Sequence, residues 1–335
     1  MQKIYDQKEL IHTTDWDYLI ILDACRYDYF EKVYKEFFRD IEGKYKIRFL
    51  KVISPANNTI EWVKKVFGDR KYDIVYISGN PYINSKGYRK LNFNASKHFK
   101  IIEDVWFYGW SRKYRTVLPN KINSVATSYI TKHKIKQEKM IIHYMQPHIP
   151  YIYEYINKKF LFSEKKTENS KNTDHPWYSK DIINSIRYSL STFLLKILNK
   201  KYIYLEKFLR KLRLSYIPYP ERYAKKMGIK KLKICYSYNL KYVLRYVMNL
   251  VEKIPYGKIV ITSDHGELLG EEGIYGHPAW AKHSKLFEVP WLEIDKGRKK
   301  VGEKVEGEEK EEEKEYSKND EEIIKERLRA LGYLE

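Results

Sequence analysis

Short apolar runs alternate along the chain with amphipathic stretches, and this alternation predicts strands separated by helices. The clearest runs are residues 17–24, 47–53, 73–78, 140–144 and 259–262. Residues 238–254, just before the last run, carry apolar side chains at three- and four-residue steps, which is the spacing of a helix. Runs without polar interruptions are typical of strands buried on both faces of a parallel sheet. The order predicts an α/β fold with a mostly parallel sheet sandwiched between helices.

Acidic and histidine side chains stand at the ends of two of these runs. Asp23 closes the first run, and Asp264 and His265 follow the last one. Taken singly, each is explained better by a helix cap or a turn. Taken together they favour a metal site, because ligands bind at the carboxyl edge of an open α/β sheet. Oxygen and nitrogen donors at such an edge suit metal-assisted phosphate chemistry.

A hydroxyl residue and a histidine mark two further candidate sites. Thr59 stands at the start of an amphipathic stretch, residues 60–67, where it is either an ordinary N-cap or a nucleophile stabilised by helix N–H groups. Ser54 is the second candidate for the nucleophile. His148 lies between two prolines, which fix the backbone and give its ring a defined direction. His143, inside an apolar run, is expected to be structural.

Four strings resemble motifs of the alkaline phosphatase/sulfatase superfamily. The string S-D-H-G-E-x-x-G-E-x-G-x-x-G-H, from Ser263 to His277, closely resembles the metal motif near the carboxyl end of its members. L-D-A-x-R-x-D around Asp23 resembles the first metal motif, although Ala24 stands where some members have a second acid. S-x-A-x-x-T-x-x-W resembles the nucleophile segment of archaeal members, and H-x-x-x-P-H-x-P-Y a segment that contacts the transferred group. The closing R-L-R-A-L-G-Y-L is similar to the last helix of many sulfatase-like proteins.

The resemblance implies an alkaline phosphatase-like fold with a divalent metal bound beside a nucleophile. The implied metal ligands are Asp23, Thr59, Asp264 and His265. Thr59 is also the implied nucleophile, and His148 and His277 would be further catalytic residues or would hold a second metal. We expect substrate contacts from Arg26, Asn80, His148 and His277. A mixed carboxylate and imidazole shell favours zinc or manganese, and calcium and magnesium both stay open.

These residues predict a metal-dependent hydrolase or transferase that acts on phosphate esters through a threonine nucleophile. Phosphomonoesters, phosphodiesters and phosphoglycerol-type groups all stay open as substrates. The C/S-x-P-x-R motif that is oxidised to formylglycine is absent. A sulfatase working without formylglycine is therefore the alternative. A catalytically dead basic protein that binds a membrane surface or nucleic acid is the distant alternative.

The net charge of the chain indicates the sign of the charge on its partner. The chain has 335 residues, and Lys+Arg 64 against Asp+Glu 44 gives a net charge of +20. An excess of this size suggests an anionic partner, and it does not choose among a phosphorylated or sulfated small molecule, glycan or lipid headgroup, a membrane surface and nucleic acid. A lysine-rich composition of a heat-adapted protein explains the charge equally well. No nucleic-acid-binding module is visible, so no specific nucleic acid is expected.

The chain is expected to form one catalytic domain over residues 1–294, with a helical insertion at about 153–236. Residues 295–320 are dominated by Lys and Glu and predict a mobile linker, and 321–335 predict a C-terminal helix packed on the domain. The basic amphipathic stretch 185–214 is either a packed hairpin or a peripheral membrane contact. Without a signal-peptide core or an apolar span, the expected location is the cytoplasm, with peripheral membrane attachment open. Two cysteines are too few for a disulfide framework.

Overall fold

The computed structural model describes residues 4–87, 93–132, 138–153, 219–297 and 318–330. Its strands, in chain order, are β1 Tyr5–Asp6, β2 Tyr18–Leu22, β3 Lys46–Ile53, β4 Tyr72–Ser78, β5 Phe99–Glu103, β6 Trp110–Ser111, β7 Thr116–Val117, β8 Lys139–Tyr144, β9 Lys258–Thr262, β10 Leu268–Leu269, β11 Tyr275–Gly276 and β12 Glu288–Asp295. Eight of them form the central sheet in the order β1-β3-β12-β9-β2-β8-β4-β5. The pairs β6–β7 and β10–β11 are separate two-stranded antiparallel sheets.

The central sheet is mostly parallel, as the sequence predicted. β2 runs parallel to both of its neighbours, with Ile20 opposite Ile142 on β8 and Ile261 on β9. β12 alone among the described strands of this sheet runs antiparallel, between β3 and β9. The carboxyl ends of β2, β3, β4, β8 and β9 therefore meet at one edge. Each candidate site residue follows one of these five strand ends along the chain, except His277, which follows β11.

The described helices are α1 Gln7–Thr13, α2 Tyr27–Glu42, α3 Thr59–Phe67, α4 Val105–Tyr108, α5 Pro119–Lys132, α6 Tyr219–Met227, α7 Ile229–Lys253 and α8 Lys318–Ala330. They cover both faces of the sheet. Alternate residues of a strand point to opposite faces, so they enter the two different cores beneath these helices. Ile20 and Leu22 join the core beneath α2, α5 and α7. Leu19 and Ile21 join the core beneath α1 and α3. This three-layer arrangement confirms the predicted α/β fold, with a mostly parallel sheet sandwiched between helices.

Some predicted segments fall partly or wholly outside the described residues. Ile324 and Leu328 of α8 are buried in the core that α2 and α7 also line. Residues 298–317 of the predicted linker and the whole amphipathic stretch 185–214 lie outside the described ranges, as does most of the predicted insertion. The domain boundaries stay predictions. Across the described ranges, no helix combines the length and the apolar content that crossing a membrane requires.

Candidate metal centre and nucleophile

Asp23 is held at the end of β2 by the neighbouring strand and by a turn. Its backbone N–H donates to the Tyr144 carbonyl at 3.1 Å, which extends the ladder by one residue. Ala24 then adopts a left-handed conformation with φ 59°, which is uncommon for a residue with a side chain. The turn points the Ala24 N–H at Asp264 Oδ1, 3.1 Å away. The two implied metal carboxylates are thereby fixed to one another.

Ser263 joins the end of β9 to the end of β2. Its Oγ accepts the Cys25 N–H at 2.7 Å and lies 2.6 Å from both the Leu22 and the His265 carbonyl oxygens. The loop around Asp23 and the loop around His265, more than two hundred residues apart in sequence, are tied together by one buried hydroxyl. Cys25 and Cys235 are both buried, and neither forms a disulfide.

Three implied metal ligands converge at this point. The ligand atoms of Asp23, Asp264 and His265 all lie within 4.8 Å of one another, and the three side chains are buried. His265 Nε2 is 3.4 Å from Asp264 Oδ2 and 3.7 Å from Asp23 Oδ1. The structure thus brings together residues that the sequence placed at the ends of two strands.

The protonation states suit a cation. His265 Nδ1 lies 2.8 Å from the Gly266 carbonyl, which can only accept, so Nδ1 carries the proton and Nε2 presents its lone pair. Burial lowers the pKa of His265 and keeps the ring neutral. Burial alone would raise the pKa of Asp264, but His265, His143 and a hydrogen bond from Thr59 hold it below its usual range. An anionic carboxylate and a neutral imidazole are the forms that bind a metal, so the donor set fits one.

Thr59 begins α3 but does not cap it. The cap is Asn58, whose side chain accepts the Glu61 N–H at 3.0 Å. The Thr59 hydroxyl is left to donate to Asp264 Oδ2 at 2.7 Å, and it lies 3.5 Å from His265 Nε2. The hydroxyl predicted as nucleophile therefore sits among the implied ligands.

The second candidate nucleophile, Ser54, is turned away from this cluster. Its hydroxyl is buried and bonds backbone groups: it donates to the Asp264 carbonyl and accepts the Ala56 N–H at 3.3 Å. Those bonds make Ser54 a brace between β3 and the loop after β9. Thr59 is the better placed of the two hydroxyls.

Asn80 and His143 both face Oδ2 of the Asp23 carboxylate. Asn80 Nδ2 donates to Asp23 Oδ2 at 2.7 Å and lies 3.5 Å from Thr59 Oγ1. His143 Nε2 is 3.8 Å from the same Asp23 Oδ2, and His143 Nδ1 is hydrogen-bonded to the Tyr76 hydroxyl at 2.8 Å. Asp23 Oδ1 is the oxygen that faces His265, 3.7 Å from its Nε2. Substrate contact by Asn80 stays a prediction, and its shown partner is a carboxylate.

A second group of potential ligands adjoins the first. His148, Glu267 and His277 bring ligand atoms within 4.8 Å of one another, and the His277 and His265 ring centroids are 4.4 Å apart. Glu267 Oε1 is buried without a hydrogen-bond partner in the described part of the chain. A buried carboxylate oxygen without a hydrogen-bond partner raises the free energy of the folded protein, and a bound ligand would remove that cost. Glu267 is the residue that sequence reasoning missed, although it stands inside the Ser263–His277 string.

Burial sets the charge of this second group. It raises the pKa of Glu267 to about 7, against the opposing effect of His148, His265 and Arg26. It lowers the pKa of both His148 and His277 to about 4. His148 Nδ1 lies 2.7 Å from the Ile149 carbonyl, so its proton is on Nδ1 and its Nε2 carries a lone pair. At neutral pH these two rings are uncharged bases.

Arg26, predicted to touch substrate, forms ion pairs within the protein. Its guanidinium bonds Asp28 at 2.8 and 2.9 Å, Glu271 at 2.7 Å and the Glu267 carbonyl at 3.1 Å. Asp28 lies at the start of α2, and Glu271 begins the short turn that leads to β11 and His277. Arg26 thus fastens that turn to the Asp23 loop, and its contact with substrate stays a prediction.

Carboxylates, imidazoles and a helix-terminal hydroxyl at the carboxyl edge of a mostly parallel sheet define an α/β protein of the alkaline phosphatase type. A family profile for sulfatases matches residues 43–331, and the chain belongs to the sulfatase family. The superfamily resemblance seen in the motifs is thereby confirmed. No curated protein matches the chain.

Several solved structures are similar to the chain at low identity. The soluble domain of lipooligosaccharide phosphoethanolamine transferase A from Neisseria meningitidis is 14% identical with a TM-score of 0.47, over 83% of this chain and 75% of that one. Lipoteichoic acid synthase from Listeria monocytogenes is 11% identical with a TM-score of 0.43, over 86% and 66%. A Vibrio parahaemolyticus protein of the alkaline phosphatase superfamily is 11% identical with a TM-score of 0.39, over 84% and 60%.

Proposed function

We propose that this protein is a metal-dependent hydrolase or transferase of phosphate esters, with Thr59 as its nucleophile. One observation carries the proposal. The Thr59 hydroxyl donates to Asp264 Oδ2 at 2.7 Å and lies 3.5 Å from His265 Nε2, so it shares a site with the two strongest candidate ligands. A hydroxyl at a helix start is also where backbone N–H groups stabilise a bound phosphate.

The proposed ligands are Asp23, Asp264, His265 and the Thr59 hydroxyl. Zinc or manganese fits this mixed set of oxygen and nitrogen donors better than calcium or magnesium. A bound divalent cation would supply Lewis acidity, which lowers the pKa of a coordinated hydroxyl and neutralises charge on the transferred group. Asn80 and His143 would fix the orientation of Asp23, because both face the oxygen that points away from His265.

The remaining chemical steps are assigned to side chains of the candidate site. Thr59 Oγ attacks the phosphorus atom and its proton moves to Asp264 Oδ2. The bond between phosphorus and the leaving oxygen breaks, and that oxygen takes up a proton from water to leave as an alcohol. His148 and His277 are neutral at neutral pH. The lone pair on His148 Nε2 suits it to accept a proton from the water or alcohol that next attacks the phospho-threonine, or to hold a second cation. Attack by water gives a hydrolase, and attack by an alcohol gives a transferase.

A sulfatase that works without formylglycine is the second candidate. Family membership favours it, since the matching profile is that of the sulfatases. Threonine cannot replace the Cys or Ser that is converted to formylglycine, and Cys25 lies elsewhere, buried in the loop after β2. We therefore place phosphate esters first. The substrate proposed is a phosphorylated small molecule, glycan or lipid headgroup, and the cytoplasmic location stays a prediction.

The test measures turnover of four para-nitrophenyl esters: the phosphate, the bis-phosphodiester, the phenyl phosphonate and the sulfate. Each ester is assayed with zinc, manganese, magnesium or calcium, and with a chelator. We expect turnover of a phosphate or phosphonate ester that chelator removes and zinc or manganese restores. Turnover of the sulfate ester alone would favour the sulfatase. A protein that neither binds metal nor turns over any ester would contradict the proposal and leave the basic binding protein.

A further inference from the structure

The first turns of α7 carry an unusual combination of exposed isoleucines and lysines. Within the described ranges the large apolar side chains that stand most exposed are Ile4, Tyr108, Ile229 and Ile234. Ile229 is 44% exposed and Ile234 is 54% exposed, and both lie at the start of one helix. Lysines 225, 226, 230, 231 and 233 surround them and are exposed as well. We name residues 225–234 the basic cap.

The two helices that form the basic cap contain few acidic residues. Residues 222–251 contain no Asp or Glu. The nearest acid in sequence, Glu221, is buried and already bonds Lys225 at 2.9 Å. Such a surface attracts an anionic partner.

The two isoleucines decide which anion fits. A soluble polyanion such as nucleic acid gains nothing from exposed aliphatic side chains, and the basic cap offers no exposed aromatic ring for base stacking. An anionic bilayer satisfies both features, because lysines meet the headgroups while aliphatic side chains enter the headgroup boundary. We propose that the basic cap docks on an anionic lipid surface.

Docking there would bring the candidate site close to the membrane. Ile234 and Tyr236 are two positions apart, so they project about 200° apart around the helix, on nearly opposite sides. The Tyr236 hydroxyl donates to the Ala24 carbonyl at 2.7 Å and accepts the Arg26 N–H at 2.9 Å. The loop that holds Asp23 therefore lies across the width of this helix from the exposed Ile234.

The same helix holds the other side of the site. Asn239 lies one turn after Tyr236 and donates to the carbonyls of Pro147, His148 and Pro150 at 3.2 to 3.3 Å. A helix seated on a bilayer would thus carry both site loops with it. Together with the proposed function, on which this step rests, the placement identifies the substrate class as a phosphate ester of a lipid headgroup.

The test is co-sedimentation of the full chain with vesicles of phosphatidylcholine containing phosphatidylglycerol, and with pure phosphatidylcholine vesicles. We expect binding to the anionic vesicles only. Lys230→Glu/Lys233→Glu should lower the partition coefficient at least about 25-fold, since each lysine near an anionic surface contributes about five-fold. Ile229→Ser/Ile234→Ser should also release the protein, although it leaves the charge unchanged.

Matched controls separate docking at the basic cap from general attraction. Lys44→Glu/Lys46→Glu makes the same change of charge at exposed positions beside the amino end of β3, at the sheet edge opposite the candidate site. Ile4→Ser removes another exposed isoleucine, which is 78% exposed. Both controls should bind nearly as wild type. Loss of binding in the controls to the same extent, unchanged binding in the cap variants, or no vesicle binding by wild type would each overturn the proposal.

Failure of this proposal is distinguishable from failure of the proposed function. The cap variants touch none of the proposed ligands, so turnover of a water-soluble para-nitrophenyl ester should match wild type. If vesicle binding depends on the basic cap while no ester is turned over, the docking surface stands and the proposed activity falls. If esters are turned over without vesicle binding, the docking surface falls alone.

Discussion

The Thr59 hydroxyl lies 2.7 Å from Asp264 Oδ2, while its neighbour Asn58 caps the helix that Thr59 begins. Capping and the proposed nucleophilic role are thus divided between adjacent residues. Asn58 can therefore be changed without loss of the proposed nucleophile, and Thr59 can be changed without loss of the helix cap. This separation makes the nucleophile testable without confusing lost chemistry with lost folding.

Thr59→Ala should abolish turnover and leave the fold intact. The variant removes the proposed attacking oxygen but keeps the Asn58 cap on α3. The measurement is steady-state turnover of the preferred ester beside thermal unfolding of the same sample. Activity close to wild type in Thr59→Ala would exclude Thr59 as the nucleophile.

Asn58→Ala is the matched control, and it should show the reverse behaviour. Loss of the side chain that accepts the Glu61 N–H should lower the free energy of unfolding by about 1 kcal/mol. Turnover should persist, because the hydrogen bond from Thr59 to Asp264 does not involve Asn58. Loss of turnover in a folded Asn58→Ala would mean that the two roles are not separate.

Asn80→Ala should weaken metal binding without eliminating it. Asn80 donates to Asp23 Oδ2 at 2.7 Å and so orients the carboxylate whose other oxygen faces His265. Loss of such an outer partner typically lowers metal affinity about 10- to 100-fold. Asp23→Asn, which removes a proposed ligand charge, should lower it further. Calorimetric titration of metal-free protein with Zn²⁺ or Mn²⁺ measures both, and an unchanged affinity in Asn80→Ala would contradict the positioning role.

The sequence was sufficient to predict that the candidate site residues at these strand ends lie close together. Asp23, Asp264 and His265 follow apolar runs, and runs of that kind belong to parallel strands whose carboxyl ends share one edge. Strand direction alone then brings residues 23 and 264 together. The antiparallel strand β12 does not disturb this, because it lies between β3 and β9 and leaves their ends aligned.

The finer arrangement was not predictable, because it depends on contacts between distant segments. Arg26 pairs with Asp28 and with Glu271, which is 245 residues away in sequence, so no local pattern indicates the second pair. Glu267 has no local pattern that distinguishes it from a loop acid, and its nearness to His148 depends on how the β10–β11 hairpin folds back. Local spacing carries no information on such pairs.

Gly266→Ala should damage the site through backbone contact. A Cβ at residue 266 would lie 1.9 Å from the Lys285 carbonyl oxygen. The Gly266 N–H also donates to the Leu286 carbonyl oxygen at 2.8 Å, which holds the two segments close together. The loop after His265 must then shift, which should cost about 1–3 kcal/mol or more of stability and weaken metal binding. Gly43→Ala is the matched control, since it has φ −82° and open space around it. Thermal unfolding of both variants should show loss only at residue 266, and equal stability of the two would contradict this account.

Asp104 should give the fold a pH dependence that is separate from the metal centre. Burial raises the pKa of Asp104, although hydrogen bonds from Ser85 and Trp106 oppose the shift. A carboxyl whose pKa is higher in the folded protein binds its proton more tightly there, so its contribution to stability falls as pH rises through the raised pKa. Asp104→Asn keeps an acceptor for the Trp106 N–H but removes the charge. The melting temperature of the variant minus that of wild type should therefore increase from acidic to neutral pH. A difference that stays constant over that interval would show that Asp104 does not titrate with a raised pKa.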